Sequence, residues 1–99
     1  MKQWEAGWQA FVDMCINIQD ERALAEMFNL FLTAEEKVDI ARRFLIVKEL
    51  VKGEKTQRDI AKFLDVSIAK ITRGSNELKR LDKKWLSYLD KVYRKEPLK

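Results

Sequence analysis

The segment from residue 57 to residue 73 has the residue types and spacing of a helix-turn-helix that binds DNA. Its apolar members would bury the angle between two short helices, and Ala61 faces the second helix, where a longer side chain would hold the helices apart. The turn requires a residue that tolerates positive φ, and Asp65 can replace the more usual glycine. The pattern consists of Gln57, Ile60, Ala61, Val66, Ser67, Ile71 and Arg73.

Charge is distributed unevenly along the 99 residues, whose net charge is +4. Residues 1–51 carry 6 Lys and Arg against 9 Asp and Glu, whereas residues 52–99 carry 14 against 7. The second half, with a net charge of +7, is therefore expected to bind a polyanion such as nucleic acid. A lysine-rich face that only contacts solvent is the alternative explanation.

The composition excludes several kinds of chemistry. The chain has no histidine, which rules out zinc fingers and nucleophilic catalysis by Ser-His or Cys-His pairs, so no catalytic or metal site is expected. The single cysteine, Cys15, cannot form an intramolecular disulfide, and we expect it to be a small buried apolar residue. No apolar run is long enough to span a membrane, and the amino terminus lacks a signal sequence. These features predict a cytoplasmic protein.

The elements that must position these residues are predicted to be helices in one all-α domain, because three glycines and one proline are too few for an all-β chain. Residues 4–18 form an amphipathic pattern in which Trp4 and Trp8 are core or interface anchors. Residues 23–32 are apolar almost all round, which predicts burial on several sides and an extensive subunit interface. Thr33 and Glu36 fit a capping box for a helix that reaches about Lys52.

The remaining helices follow from local signals. Gly53 can end the third helix, Thr56 can cap a helix over 57–64, and Ser67 can cap another that begins at Ile68. On the third helix the apolar positions are Ile40, Phe44, Val47 and Val51, with Val38, Ala41 and Leu45 beside them. A final helical stripe runs to Arg94 through Leu78, Leu81, Trp85, Leu89 and Val92, and Pro97 closes the chain.

Over roughly residues 8–94 the sequence resembles the bacterial tryptophan repressor family. The most specific string is Ile71-Thr72-Arg73-Gly74-Ser75-Asn76, and the other matching runs are Trp8-Gln9-Ala10-Phe11-Val12-Asp13, Leu30-Phe31-Leu32-Thr33, Gly53-Glu54 and Thr56-Gln57-Arg58. The resemblance implies an intertwined homodimer with six helices per subunit. Residues 1–53 and 81–99 would form its dimerisation core, and residues 54–80 a DNA-reading head. It also implies repression of tryptophan biosynthesis and uptake genes when L-tryptophan binds as corepressor.

The resemblance further implies how the ligand is held. Arg43 and Arg73 would sandwich the indole ring, and Arg73 would also bind the carboxylate with help from Thr33. Backbone carbonyls of Leu30 and Leu32 from the other subunit would accept hydrogen bonds from the ammonium group. Guanidinium groups suit both roles, because they stack on aromatic faces and bind carboxylates through two donors. The implied ligand positions are Leu30, Leu32, Thr33, Arg43, Arg73, Gly74 and Glu77.

For double-stranded operator DNA, the resemblance implies contacts by residues of both short helices. The backbone N–H groups of Ile68 and Ala69, at the start of the second helix, would point at phosphates and bases. Two such helices of a dimer would lie about 34 Å apart, one turn of DNA. The implied DNA positions are Gln57, Arg58, Ile68, Ala69, Lys70, Thr72, Arg73, Asn76 and Lys79.

The chain departs from the family pattern at several positions. Gly74 keeps the small residue that leaves room beside the ligand, but Glu77 replaces a small hydroxyl residue. Glu77 could pair with the ligand ammonium, or with Arg73 in competition with the ligand carboxylate, and we favour the second. Val66 and Ser67 replace small and glycine residues at the turn, which predicts a more ordered reading head with some DNA affinity in the absence of ligand. Arg42, beside Arg43, adds a candidate phosphate contact where the family often has a neutral residue.

Three other functions are compatible with parts of the sequence. A relative of the same fold could respond to another effector or bind DNA constitutively. A small helical enzyme of the chorismate-mutase type could use arginines to bind carboxylates, but the chain shows no positioned catalytic acid. A bundle that only binds proteins would leave the helix-turn-helix spacing as coincidence.

Overall fold

The computed structural model describes residues 2–95, and the predicted chain end at Pro97 lies outside them. Over these residues the fold consists of six α-helices without a strand, which confirms the all-α prediction. The helices are α1 (Gln3–Asn17), α2 (Glu21–Phe31), α3 (Ala34–Lys52), α4 (Gln57–Leu64), α5 (Ile68–Lys79) and α6 (Lys83–Lys95). The chain divides into two compact units, Met1–Lys37 and Val38–Lys99.

In the first unit, aromatic rings connect α1 to α2. The ring of Phe11 lies 5.7 Å from the rings of both Trp8 and Phe31, and 6.4 Å from that of Phe28. Only Met27 of α2 is buried, whereas Leu30 is 76% exposed. The predicted burial of α2 on several sides is therefore not achieved within the single chain.

Other expectations for the first unit are met only in part. Trp4 and Trp8 are exposed in the single chain, and Cys15 is half-buried, not fully buried. The second helix begins two residues earlier than predicted, because the Asp20 side chain caps it by accepting from the N–H of Arg22. An N-cap carboxylate stabilises the otherwise unpaired donors of a first turn, so this polar segment starts a helix as well as separating two.

The ends of α3 agree with the sequence analysis. The N–H of Thr33 donates to Glu36 Oε1 at 2.8 Å, and the N–H of Glu36 donates to Thr33 Oγ1 at 3.0 Å. These two bonds are the predicted capping box. At the other end, Gly53 has φ of 69°, the left-handed conformation that a glycine adopts without steric cost.

The second unit is organised around three isoleucines. Ile60 of α4 and Ile71 of α5 are fully buried, and Ile46 of α3 is 2% exposed. The half-buried residues packed against them are Leu50, Ala61, Leu64 and Val66. The predicted roles of Ile60, Ala61, Val66 and Ile71 are confirmed, but the sequence analysis missed Ile46, which does not belong to either of the apolar stripes assigned to α3.

The last helix is shorter than the predicted stripe. Helix α5 ends at Lys79, and α6 starts after Asp82, whose carboxylate accepts from the N–H of Trp85 at 3.1 Å. The prediction of one segment from Leu78 onward was therefore wrong, because Leu78 belongs to α5. Helix α6 is attached to α3 by Tyr93, whose hydroxyl donates to the Phe44 carbonyl at 3.0 Å.

None of the described helices combines the length and the apolar character needed to cross a bilayer. Within residues 2–95, no three His, Cys, Asp or Glu side chains are grouped so that they could hold a metal ion.

Candidate ligand cavity and nucleic-acid interface

Helices α4 and α5 form the predicted helix-turn-helix. Thr56 Oγ1 accepts from the N–H of Asp59 at 3.1 Å, and Ser67 Oγ accepts from the N–H of Lys70 at 3.4 Å. Between the helices, Asp65 adopts φ of 55° and ψ of 51°, and the N–H of Val66 donates to the Ala61 carbonyl at 3.0 Å. Both N-caps and the left-handed turn residue were predicted from sequence, and all three are confirmed.

The two sides of α5 differ in exposure. The inner side contains the buried Ile71 and the half-buried Gly74, Ser75 and Leu78, at the three- and four-residue spacing of one helix face. Most residues predicted to contact DNA lie on the opposite side or at the helix start. Of the predicted set, Gln57 is half-buried, and the exposed members are Arg58, Ile68, Ala69, Lys70, Thr72, Arg73, Asn76 and Lys79. A mainly polar and basic surface is thus available on the helix.

One contact joins two of these residues across the helix pair. The Thr72 hydroxyl lies 3.1 Å from Gln57 Oε1 and 3.1 Å from the carbonyl oxygen of Ile68. A hydroxyl carries a single proton, so it donates to one of these acceptors at a time. The contact orients the start of α4 relative to the outer side of α5.

A cavity of about 440 Å³ is bounded by α3, α5 and α6. This volume lies in the range of about 300–1,000 Å³ that is common for small-molecule sites. Four of the seven predicted ligand residues line it, namely Arg43, Arg73, Gly74 and Glu77. The other lining residues are mostly apolar and consist of Ile40, Phe44, Ile46, Val47, Lys70, Leu78, Leu81, Leu89 and Tyr93. The arrangement can therefore accept a molecule that has an apolar body and an anionic group.

The two arginines of the cavity come from different helices, Arg43 from α3 and Arg73 from α5. Among the described residues neither one has a carboxylate within 4.0 Å, so both guanidinium groups can bind an anion. Glu77 Oε1 lies 3.9 Å from Arg80 Nη1. The expectation that Glu77 pairs with Arg73 is therefore wrong.

Gly74 has a packing role in addition to lining the cavity. A Cβ atom at this position would lie 3.1 Å from Ile46 Cγ2 and 3.4 Å from Leu50 Cδ1. The missing side chain therefore lets α5 approach α3 closely, which the sequence analysis did not predict. A glycine in a helix interior lowers stability relative to alanine. Its presence in the middle of a predicted helix was therefore the sequence signal for a close approach between helices.

The other three predicted ligand residues belong to the first unit. Thr33 acts as the N-cap of α3, Leu30 is largely exposed and Leu32 is half-buried. Their contacts with a ligand remain predictions.

Lys55 connects the α3–α4 loop to both neighbouring helices. Its Nζ donates to Oε1 of the buried Glu49 at 2.9 Å and lies 4.5 Å from the centre of the Phe63 ring. The hydrogen bond with Glu49 raises the pKa of Lys55, and attraction to nearby carboxylates acts in the same direction. This role of Lys55 was not predicted, because a single lysine in a loop carries no distinguishing sequence pattern.

Comparisons with known proteins agree with the geometry. The family model for Trp repressor protein matches residues 6–93. A Trp operon repressor homolog of Chlamydia trachomatis serovar D is 49% identical over 90% of this chain and 95% of the relative. The homolog of Chlamydia caviae is 46% identical over 92% and 90%, and that of Vibrio vulnificus strain YJ016 is 42% identical over 73% and 71%. The chain thus belongs to the Trp repressor protein family, whose members regulate transcription and are not enzymes.

Proposed function

We propose that the chain is an L-tryptophan-dependent repressor that binds palindromic operator DNA of tryptophan biosynthesis and uptake genes. The observation that carries this proposal is the cavity in which Arg43 of α3 and Arg73 of α5 face apolar walls. Arg73 also belongs to the exposed side of the helix that would read DNA. Ligand binding and DNA binding would therefore use the same helix. A repressor of this kind would act in the cytoplasm, where bacterial operators lie.

In the proposed mechanism, L-tryptophan fills the cavity as a wedge between α3 and α5. The guanidinium groups of Arg43 and Arg73 stack on the two faces of the indole, and Arg73 binds the carboxylate. The apolar walls bury the ring, which removes apolar surface from water. The ligand stabilises the DNA-binding arrangement of α5 only to the extent that it binds this arrangement better than others.

The proposed DNA interface consists of the exposed side of α5 and the start of α4. The N–H groups of Ile68 and Ala69 have no acceptor within their own helix, so they can donate to phosphate oxygens. Side chains further along α5 would reach base edges, and cations would neutralise phosphates and make the affinity fall with salt. The proposed set is Gln57, Arg58, Ile68, Ala69, Lys70, Thr72, Arg73, Asn76 and Lys79.

The proposed repressor is a homodimer whose two α5 helices enter adjacent major grooves about 34 Å apart. Residues 1–53 and 81–99 would form the dimer core, and residues 54–80 the reading head. Support comes from large apolar side chains that a single chain leaves exposed on α1, α2 and α6, among them Trp4, Leu30 and Trp85. In the dimer, the carbonyls of Leu30 and Leu32 would complete the ligand site across the interface, with Thr33 beside the carboxylate.

The test is a calorimetric titration of amino acids, followed by gel shift on palindromic DNA with and without the ligand found. Wild type should bind L-tryptophan, and ligand should tighten DNA binding. Arg73→Ala should lose both responses, whereas Arg22→Ala, which removes the same charge from the first unit, should keep them. Unchanged tryptophan affinity in Arg73→Ala would refute the proposed ligand site.

Glu77 provides a second test of the same cavity. Since its carboxylate lines the cavity and does not pair with Arg73, we propose that it accepts from the ligand ammonium. Wild type should then prefer L-tryptophan over indole-3-propionate, which lacks the amine. Glu77→Ser should reduce that preference by up to about fivefold, the effect of an exposed charge pair worth up to about 1 kcal/mol. An unchanged preference would assign Glu77 no part in ligand selection.

The alternative is a regulator of the same fold that responds to another effector or binds DNA constitutively. The Ser67 cap and the two-residue turn favour this candidate in one respect, since they order the start of α5 by contacts that involve no ligand. Operator-specific binding of equal strength in tryptophan-free and tryptophan-saturated buffer would support constitutive binding. Binding tightened only by another compound would identify a different effector.

A further inference from the structure

We propose that a second pocket in this unit binds a phosphate group of the DNA backbone. The pocket has a volume of about 350 Å³ and is lined by Asp39, Arg42, Arg43, Ile46, Lys70 and Arg73. Arg43 and Arg73 are among the residues that line both this pocket and the ligand cavity. Arg42 and Asp39 line this pocket but not the ligand cavity. The inference rests on the proposed DNA binding and adds a contact outside the helix-turn-helix.

The charge of the pocket selects an anion. Four cationic side chains and one carboxylate line it, which leaves three positive charges in excess. None of the four cations has a carboxylate within 4.0 Å among the residues that the structure describes. Asp39 therefore lowers the positive potential without neutralising any one of the cations. Guanidinium groups bind phosphate oxygens through two parallel hydrogen bonds, which suits a pocket that contains three arginines.

The position of the pocket indicates that the bound anion is a phosphate of the DNA backbone. Lys70 and Arg73 belong to the exposed part of α5 that is proposed to contact DNA, and Lys70 lies in its first turn, where the helix dipole favours negative charge. A phosphate bound by Lys70 and Arg73 would lie in the same pocket as the Arg42 side chain, which lines it from α3. The basic surface therefore continues from the reading helix onto α3.

Arg42 lines the second pocket but does not line the ligand cavity. A ligand carboxylate would engage Arg73 and so withdraw one cation from a phosphate in the second pocket. Arg42 does not line the ligand cavity, and it would remain available to the phosphate when the ligand is bound. The proposed contact is thus compatible with both the ligand-free and the ligand-bound protein.

The test measures how DNA affinity depends on salt, using a 20-base-pair duplex of mixed sequence without tryptophan. Each phosphate contact contributes about −0.9 to the slope of log affinity against log salt concentration. Arg42→Ala should therefore lose about one unit of slope, so that wild type weakens about 3.5-fold more than this variant between 50 and 200 mM salt. Arg42→Lys should keep the slope, and Arg22→Ala is the matched control that removes the same charge elsewhere.

A second variant tests the pocket in the opposite direction. Asp39→Asn removes the one carboxylate that lines the pocket among the described residues, and it should tighten DNA binding at 50 mM salt. Circular dichroism shows whether each variant is folded, and if Arg42→Ala fails to fold, Asp39→Asn decides. Tighter binding then supports the proposal, and unchanged binding overturns it.

The possible failures are distinguishable. If wild type binds the duplex but Arg42→Ala keeps its full slope, the pocket proposal is wrong and the proposed function stands. If wild type binds neither this duplex nor palindromic DNA at 50 mM salt, with or without saturating tryptophan, the proposed function fails together with the pocket. Calorimetry with inorganic phosphate forms the third arm, and binding of free phosphate that depends on Arg42, without a change in the DNA slope, would overturn the assignment to the DNA backbone.

Discussion

The strongest stability prediction concerns two isoleucines in one helix. Ile71 is fully buried against Ile46 and Ile60, whereas Ile68, three residues earlier, is 50% exposed. Replacing Ile71 by alanine removes three carbon atoms from this core. At about 0.8 kcal/mol for each buried carbon, the lost transfer free energy is about 2.4 kcal/mol. The cavity that remains adds to this value, so the free energy of unfolding should fall by about 3–5 kcal/mol.

Ile68→Ala is the matched control, because it makes the same chemical change in the same helix. About half of the side chain is already in water, so the transfer loss is near 1.2 kcal/mol, and the higher helix propensity of alanine offsets up to about 0.5 kcal/mol of it. The expected loss is therefore about 1 kcal/mol. The two variants should differ by at least about 2 kcal/mol.

Urea unfolding followed by circular dichroism gives both values. All samples need the same protein concentration, because the stability of the proposed dimer would depend on protomer concentration. Equal losses for the two variants would refute the burial of Ile71 between α4 and α5. Gel shift adds a functional check, since Ile68→Ala keeps the backbone N–H that is proposed to contact phosphate and should therefore retain DNA binding.

Three further predictions use local geometry. Gly53→Ala should lower the free energy of unfolding by about 1–2 kcal/mol, because an added Cβ meets no neighbouring atom but alanine is strained at a φ of 69°. Gly7→Ala, within α1 and also without a neighbour near the added Cβ, should raise the free energy of unfolding by about 0.5–1 kcal/mol. Urea unfolding should give these opposite signs. Thr33→Ala removes the Oγ1 acceptor of the capping box but leaves the backbone N–H that donates to Glu36, and it should cost about 1 kcal/mol in the same assay, with no loss counting against the cap. The raised pKa of Lys55 means that its bond to Glu49 stabilises the fold below the usual pKa of 10.5 and that this contribution is lost as pH rises through the folded pKa. The stability difference between wild type and Lys55→Met should therefore be constant from pH 8 to 9.5 and shrink at higher pH, and a difference that stays constant to pH 11.5 would contradict the bond.

Local signals predicted the helix-turn-helix well. The caps Thr56 and Ser67 and the left-handed Asp65 each depend on neighbours within about four residues, so the sequence alone contains the information. The buried pair Ile60 and Ile71 follows from the same spacing. The family resemblance added the grouping of Arg43 with Arg73, which periodicity alone does not supply.

The errors have physical causes of a different kind. Ile46 was missed because its burial depends on α4 and α5 packing against one side of α3, a contact between distant parts of the chain. The break before α6 was missed because Leu78, before the Asp82 cap, has the helical spacing of the apolar residues that follow the cap in α6. Leu30 is largely exposed in the single chain, and its burial stays a prediction that depends on the proposed second subunit.

The two arginines that line both pockets have a genetic consequence. On the proposed function and the proposed phosphate pocket together, replacing Arg43 or Arg73 by an uncharged residue would abolish the response to tryptophan and weaken DNA binding at the same time. A screen for constitutive super-repressors would then recover no alleles at these codons. Such alleles are expected instead at Asp39, whose replacement by Asn should tighten DNA binding, and in the Asp65–Ser67 turn, which orders the start of the reading helix.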